Sequence, residues 1–301
     1  MAMMSETSKQ GPLFIDYLKA IRIHHWPKNL LVFLPAITGH LITLENFLIL
    51  LVLFFSLSFV ASGMYLINDL LDVEKDKKHP TKKHRAIASG TLSLKTAKVI
   101  SSLLITIGLL SSLIASFDAG ILIFLYAVLV GLYSLYFKKV PFFEAFFLTL
   151  VYLLRIYIGV LVIDTGISQW MILLSFFFFF FLVLVKRHTE LLLYVRNLDD
   201  DPTGRGYKTE DIKLIQSIAV AFALVSLVVF GLYIESPKVQ ALYTSPTYLW
   251  AVAFLGLLWV INVIVLVHKG KMHNDPIVFA FTNKTSLGIF LMSITFIILS
   301  L

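Results

Sequence analysis

The stretch Asn68–Gly90, NDLLDVEKDKKHPTKKHRAIASG, decides how this 301-residue chain is read. It begins where an apolar run, roughly Phe47 to Ile67, gives out, so Asp69, Asp72 and Asp76 stand just past the end of a predicted membrane helix. If the helix continues, offsets of three and seven residues return the carboxylates to one face. Asp69 and Asp76 then lie about 20° apart in azimuth and about 10 Å along the axis. Hard divalent cations such as Mg²⁺ take carboxylate oxygens, keep several waters and share a substrate phosphate. An acidic ladder followed by Lys82, Lys83, His84 and Arg85 therefore suggests a metal-bridged polyphosphate, with the basic residues holding the oxygens that the metal leaves free. A solvated, mixed-charge helix end is the bland alternative. Against it, Glu74 and Lys75 fall off the face that carries the aspartates.

Working outward, the chain is 58% hydrophobic and 14% charged, with a mean hydropathy of +0.89. That composition belongs to an all-α, polytopic membrane protein. Cysteine is absent, which excludes disulfides and thiolate metal sites. The start, Met1–Gln10, is polar and leads into further polar sequence, so no cleavable signal peptide is expected. Residues 1–301 read as one integral-membrane domain.

Nine apolar windows can be drawn, near 29–43, 46–67, 97–115, 119–137, 142–163, 169–185, 213–234, 247–267 and 284–301. Their connections alternate in charge. Gly39–Glu45, Ser116–Asp118, Asp164–Ser168 and Glu235–Pro246 contain a single Lys or Arg between them, Lys238. Lys9, Lys19, Arg22 and Lys28 precede the first window, eight Lys and Arg from Lys75 to Lys98 follow the second, and Lys138 and Lys139 follow the fourth. Lys186, Arg187, Arg196, Arg205, Lys208 and Lys213 follow the sixth, and Lys269, Lys271 and Lys284 the eighth. The positive-inside rule puts the N-terminus and the long polar loops in the cytoplasm and the C-terminus outside. The net charge of +7 is explained by this distribution, and nucleic acid is not implied.

Arg155 lies inside the fifth window, in VYLLRIYIGV. At that depth it is expected to face a polar cavity, with an ion pair to Glu144 or Asp164 as the structural alternative. The phenylalanines of SFFFFFFLVLVKRHTELL read as lipid-facing bulk. After them, Lys186 and Glu190 share a helical face at the cytoplasmic level of Asp69, although Lys186 and Arg187 could also anchor a helix end at the interface. In the loop 196–213, the consecutive Asp199, Asp200 and Asp201 cannot share a face, and Pro202 and Gly204 break the segment, so it reads as solvated. Asp211 is expected to cap or pair locally.

The motif formed by Asn68, Asp69, Asp72 and Asp76, NDxxDxxxD, resembles the aspartate-rich signature of the UbiA superfamily of intramembrane prenyltransferases. Further segments are similar to one branch of it, the decaprenyl-phosphate phosphoribosyltransferases. These are RIHHWPKNLLVF with Arg22, Trp26, Lys28 and Asn29; HPTKKHRAIASG with His79, Pro80, Arg85 and Gly90; YSLYFKKVP with Lys138 and Pro141; LLRIYIG with Arg155; KRHTEL with Lys186, Arg187 and Glu190; and NDPIVFAFTNKTS near the C-terminus. The resemblance implies a nine-helix bundle around a central cavity. It implies transfer of 5-phosphoribose from phosphoribosyl diphosphate to a polyprenyl phosphate, in a pathway that could feed arabinose donors for a cell wall. Two departures stand out. KRHTE occupies the place where most UbiA prenyltransferases carry a second aspartate-rich motif, and Arg85-Ala86 replaces a common Arg-Pro pair.

Displacing diphosphate from C1 of the ribose builds positive charge on the sugar and negative charge on the leaving group, so the protein's task is to hold Mg²⁺ and cations on the diphosphate. The lipid phosphate is already an anion and needs positioning, not a general base. On this reading Asp69, Asp72 and Asp76 hold Mg²⁺ and Asn68 orients them or the substrate. Lys28, Asn29, Lys82 and Arg85 bind donor phosphates. Lys138, Arg155, Lys186 and Arg187 serve donor or acceptor phosphates, and Glu190 meets a ribose hydroxyl or holds a cation in place. Surrounding lipid and a second copy of the chain are the other candidate partners. Two alternatives stay open: a prenyltransferase using the same clamp for an isoprenoid diphosphate and a small acceptor, and a non-catalytic transporter or lipid-binding scaffold. For the second, helix pairs broken by Gly or Pro in two repeated halves are not evident.

Overall fold

The structure is a computed structural model that describes residues 14–79, 82–197, 206–272, 276, 279 and 282–301, the side chains of 193, 194, 196 and 197 excepted. The polar start Met1–Gln10, Pro80, Asp199–Asp201 with Pro202 and Gly204, and the pair Asn274 and Asp275 lie outside those residues.

Every regular element among the described residues is helical. In order they are α1 (Phe14–Ala20), a 3₁₀ stretch (Ile23–Phe33), α2 (Leu34–Thr38), α3 (Leu44–Leu71), α4 (Val73–Lys78), a 3₁₀ turn (Lys82–His84), α5 (Leu94–Ala115), α6 (Phe117–Leu135) and a 3₁₀ turn (Phe137–Lys139). Then come α7 (Phe143–Ile163), α8 (Gln169–Asn197), a 3₁₀ turn (Thr209–Asp211), α9 (Ile212–Ile234), α10 (Pro237–Leu242), α11 (Tyr248–His268) and α12 (Lys284–Ser300). Seven of these helical segments are long and apolar enough to cross a membrane by length and composition: α3, α5, α6, α7, α8, α11 and the segment Thr209–Ile234 that contains α9. The protein is an integral membrane protein. Two of the nine predicted windows differ. Window 29–43 splits between the 3₁₀ stretch, α2 and a turn; Pro27 inside that stretch removes a backbone donor. Window 284–301 gives the 17-residue α12, about 25 Å long and short of the roughly 30 Å hydrocarbon core.

The chain forms two compact units. One comprises Met1–Ile37, Leu41–Gly131 and Ile158–Asp164. Its axis is α3, whose 28 residues reach about 42 Å, so an apolar segment that crosses the hydrocarbon leaves Asn68 and Asp69 at its end. Thr43 caps it, accepting from the Asn46 N–H at 3.1 Å. α3 packs against α5 through small residues, as membrane helices do. Ser56 and Ser111 hydrogen-bond at 2.8 Å, and a Cβ on Gly108 would sit 2.7 Å from the Ser56 carbonyl oxygen. The 3₁₀ stretch is sewn to α3 by Trp26 Nε1, which donates to Ser62 Oγ at 3.0 Å, and by Asn29 Nδ2, which donates to Ser58 Oγ at 3.0 Å.

The other unit comprises Thr38–His40, Leu132–Tyr157 and Thr165–Leu301. Here the phenylalanine run corrects the lipid-facing expectation: Phe179, Phe180 and Phe181 are buried and Phe176, Phe177 and Phe178 half-buried. Six consecutive residues sweep more than one full turn of a helix, so they cannot all face lipid. Phe179 stacks on Tyr152 of α7 at 4.8 Å, Phe180 on Phe222 of α9 at 4.4 Å, and Phe178 lies 5.9 Å from Trp259 of α11.

Candidate functional site

Within the first unit two of the three ladder aspartates, Asp69 and Asp76, come together. α3 and α4 are separated only by Asp72 (φ −99°, ψ 7°). Helical bonding runs on through it, with Asp72 N donating to Asn68 O and Asp76 N to Asp72 O. Asp69 and Asp76 are buried and converge on one guanidinium. Arg85 Nη1 donates to Asp69 Oδ1 at 3.0 Å and to Asp76 Oδ2 at 2.7 Å. Arg22 Nη2 donates to the same Asp69 oxygen at 2.6 Å. Arg22 has a left-handed backbone, φ 54°, uncommon for a side chain of its size, and its guanidinium lies over the Tyr65 ring at 4.9 Å. Lys82 opens the short 3₁₀ turn, its N–H 3.4 Å from His79 Nδ1. Lys28 is buried on the 3₁₀ stretch, beside the Asn29 amide that holds Ser58.

The second unit carries a different cluster. Arg187 is 2% exposed and Glu144 fully buried. Arg187 Nε and Nη2 both donate to the Glu144 carboxylate, the latter at 2.9 Å, and Nη1 donates to Glu190 at 2.6 Å. Tyr133 donates to Glu144 at 3.2 Å. Of the two acids only Glu190 is partly open, its side chain 34% exposed. The KRHTE segment is thus a continuation of α8 in which Arg187, His188 and Thr189 are buried. Arg155 is buried at 4% exposure, its Nη1 donating to the Val151 carbonyl at 2.8 Å and its guanidinium 5.2 Å from the Tyr152 ring centroid. Lys138, on its 3₁₀ turn, and Lys186, on α8, are half-buried. Tyr207 accepts the Phe142 N–H at 2.8 Å. Burial, and then the charge of Glu144, push its phenol well above the usual tyrosine range. As expected, Asp211 pairs locally, accepting the Lys208 N–H at 2.8 Å.

Arg22, Glu144, Tyr133 and Tyr207 are members of these clusters that the sequence reading did not place in the site. In the sequence Arg22 stands out as a basic residue near a membrane boundary and as part of the RIHHWPKNLLVF segment, without a role, and Glu144 only as a possible partner for Arg155.

The donor chemistry of the first cluster suits Mg²⁺ in kind. Two carboxylates present oxygens, less than about 6 Å apart, to a single positive nitrogen. Among the described residues no three carboxylate or imidazole groups close on a metal position by themselves. That is compatible with an ion that completes its shell with water and substrate phosphate.

Buried Asp69 and Asp76, bridged by the half-buried Arg85, thus stand where α3, a helix long and apolar enough to cross a membrane, gives way to α4. Residues 31–293 match the UbiA prenyltransferase family, and the chain belongs to that family. It is 33% identical over 275 residues to the uncharacterized protein y4nM of Sinorhizobium fredii, covering 90% of this chain and 53% of that one. It is 31% identical over 283 residues to the nodulation protein NoeC of Azorhizobium caulinodans, covering 91% and 89%. The decaprenyl-phosphate phosphoribosyltransferase of Corynebacterium glutamicum is 30% identical over 185 residues, 60% of this chain and 55% of that one. The chain therefore spans about half the length of the first and third of these relatives. A UbiA homologue from Archaeoglobus fulgidus bound to DMAPP and Mg²⁺ shares the fold, with a TM-score of 0.69 at 12% identity over 94% of this chain and 99% of that one.

Proposed function

We propose that this chain transfers 5-phosphoribose from phosphoribosyl diphosphate to a polyprenyl phosphate of decaprenyl type, with Mg²⁺, releasing diphosphate. The observation that carries the reading is the convergence of Asp69 and Asp76 on one cationic nitrogen, a preassembled acidic site at the end of a membrane helix. The name of the Corynebacterium relative supports the choice of donor and acceptor, and Mg²⁺ with a diphosphate in the Archaeoglobus homologue supports the metal.

Asp69, Asp72 and Asp76 hold the ion, with Asn68 orienting them. Bound there, Mg²⁺ withdraws charge from the diphosphate and makes it a better leaving group. Lys28, Lys82 and Arg85 take phosphate oxygens of the donor, and Asn29 keeps Lys28 in register through Ser58. The C1–O bond to diphosphate breaks, its electron pair leaving with diphosphate, and a lipid-phosphate oxygen forms the new bond to C1. No proton must be removed from that oxygen. Lys138, Arg155 and Lys186 are the second unit's candidates for binding a phosphate. Arg187, saturated by two carboxylates, holds Glu190 in place within the second unit. Residues 1–301 act as one transferase, with the N-terminus and charged loops cytoplasmic and the C-terminus outside.

The test is donor choice. With Mg²⁺ and a polyprenyl phosphate, phosphorus NMR should show diphosphate released from phosphoribosyl diphosphate and none from dimethylallyl or geranyl diphosphate. Consumption of the isoprenoid donors, with phosphoribosyl diphosphate untouched, would replace this reading by prenyl transfer to a small acceptor.

A further inference from the structure

We infer that Arg85 is an internal counterion for the metal-binding aspartates, so that metal and diphosphate bind as a coupled pair. The inference rests on the reading of Asp69 and Asp76 as metal ligands. In the structure one Arg85 nitrogen sits where both carboxylates point, 3.0 Å from Asp69 and 2.7 Å from Asp76. With Arg22 on Asp69, these two acids are matched by two guanidiniums. A divalent cation arriving alone meets carboxylates already matched in charge and a guanidinium in its way. A cation arriving with diphosphate brings negative oxygens to which that guanidinium can transfer, so each ligand removes the obstacle to the other.

The two arginines differ in their freedom to move. Arg22 is packed over Tyr65 and is 18% exposed in its side chain, whereas Arg85 is 29% exposed. The segment after Arg85 is anchored without its guanidinium. Ser89 N donates to Arg85 O and Leu92 N to Ala86 O, and Ile87 and Leu92 are buried with Ala20, Leu66 and Ala97. The Arg85 side chain can therefore change partners while its backbone stays in place.

The experiment is Mn²⁺ binding, followed by electron paramagnetic resonance, to the full chain in lipid nanodiscs with and without inorganic diphosphate. In the wild type, diphosphate should tighten Mn²⁺ binding by about tenfold or more, the lower bound for one neighbouring charge. In Arg85→Gln, Mn²⁺ alone should bind about tenfold tighter than to the wild type, and diphosphate should add little. Arg85→Lys should restore part of the coupling. Arg22→Gln, which removes one of the two guanidiniums on Asp69 and leaves Arg85 in place, should give a smaller gain and serves if Arg85→Gln is not recovered folded. Metal-alone affinity unchanged or weakened in these Gln variants would overturn the inference while leaving the metal assignment standing. Absence of Mn²⁺ binding to the wild type even with diphosphate would remove both.

Discussion

Arg187 and Glu144, 43 residues apart in sequence, form a two-bond ion pair from which water is excluded, with Nη2 donating to Oε2 at 2.9 Å. A charge so placed is tolerated only with its partner. Glu144→Ala strands a buried guanidinium with Glu190 alone, and the expected cost is about 3 to 5 kcal/mol. Thermal unfolding in detergent should show it as a large drop in midpoint. The double variant Glu144→Gln with Arg187→Met should recover much of the loss, because no buried charge is left unpaired and Glu190, its side chain 34% exposed, reaches water.

Asp69 presents the opposite case. Its partners Arg22 and Arg85 keep 18% and 29% of their side-chain surface open, so losing the carboxylate leaves them in reach of water. Asp69→Ala and Asp76→Ala should cut transfer by about 100-fold or more, the scale of losing one electrostatic contact to the leaving group. The folded yield should be preserved. Wild-type turnover by either variant would remove these residues from the metal site.

Close backbone packing sets the place of Lys28 and Asn29. A Cβ on Gly159 of α7 would lie 2.1 Å from the Val32 carbonyl oxygen, on the same 3₁₀ stretch. Alanine gains up to about 1 kcal/mol in helix propensity, but overpacking typically costs about 1 to 3 kcal/mol. At so short an approach overpacking wins. Gly159→Ala should therefore lower the unfolding midpoint and raise KM for the phosphorylated donor. Gly288→Ala in α12, where nothing lies within 4 Å, should hold or slightly raise the midpoint and leave KM unchanged.

Alkaline pH should expose Tyr207. Its folded-state pKa is raised by burial and by Glu144, so folding favours the neutral phenol. The stability this contributes is complete below the unfolded value near about 10 and is lost as pH rises from there towards the folded value. Tyr207→Phe keeps the ring, loses the acceptor for Phe142 N–H at a cost of about 1 kcal/mol, and should flatten the decline above pH of about 10. Equal alkaline slopes for wild type and variant would show that other groups govern it.

The parts of this molecule that were legible in the sequence are those that obey local periodicity. Asp69 and Asp76 share a face because i and i+7 do so on any helix. Arg155 is buried because an arginine among apolar residues must find a polar setting within the protein. Pairings between elements left no such mark. Arg22 with Asp69, Glu144 with Arg187 and Phe142 with Tyr207 join residues 43 to 65 apart, and nothing in the spacing of either partner names the other. The phenylalanine run misled because lipid and protein interior are equally apolar, so hydrophobicity cannot tell a residue packed on α9 from one in the bilayer. Lys28 and Asn29 stand out in the sequence as polar residues beside an apolar run, yet the 3₁₀ geometry that carries them is signalled only by Pro27.

The central claim is tested most directly by a partition assay with purified protein, Mg²⁺, polyprenyl phosphate and ribose-labelled phosphoribosyl diphosphate, counting label that enters the organic phase. The account predicts label in lipid with the wild type, none after EDTA, and none with Asp69→Ala. Label that stays in water under every condition, while an isoprenoid diphosphate is consumed by the same preparation, would contradict it.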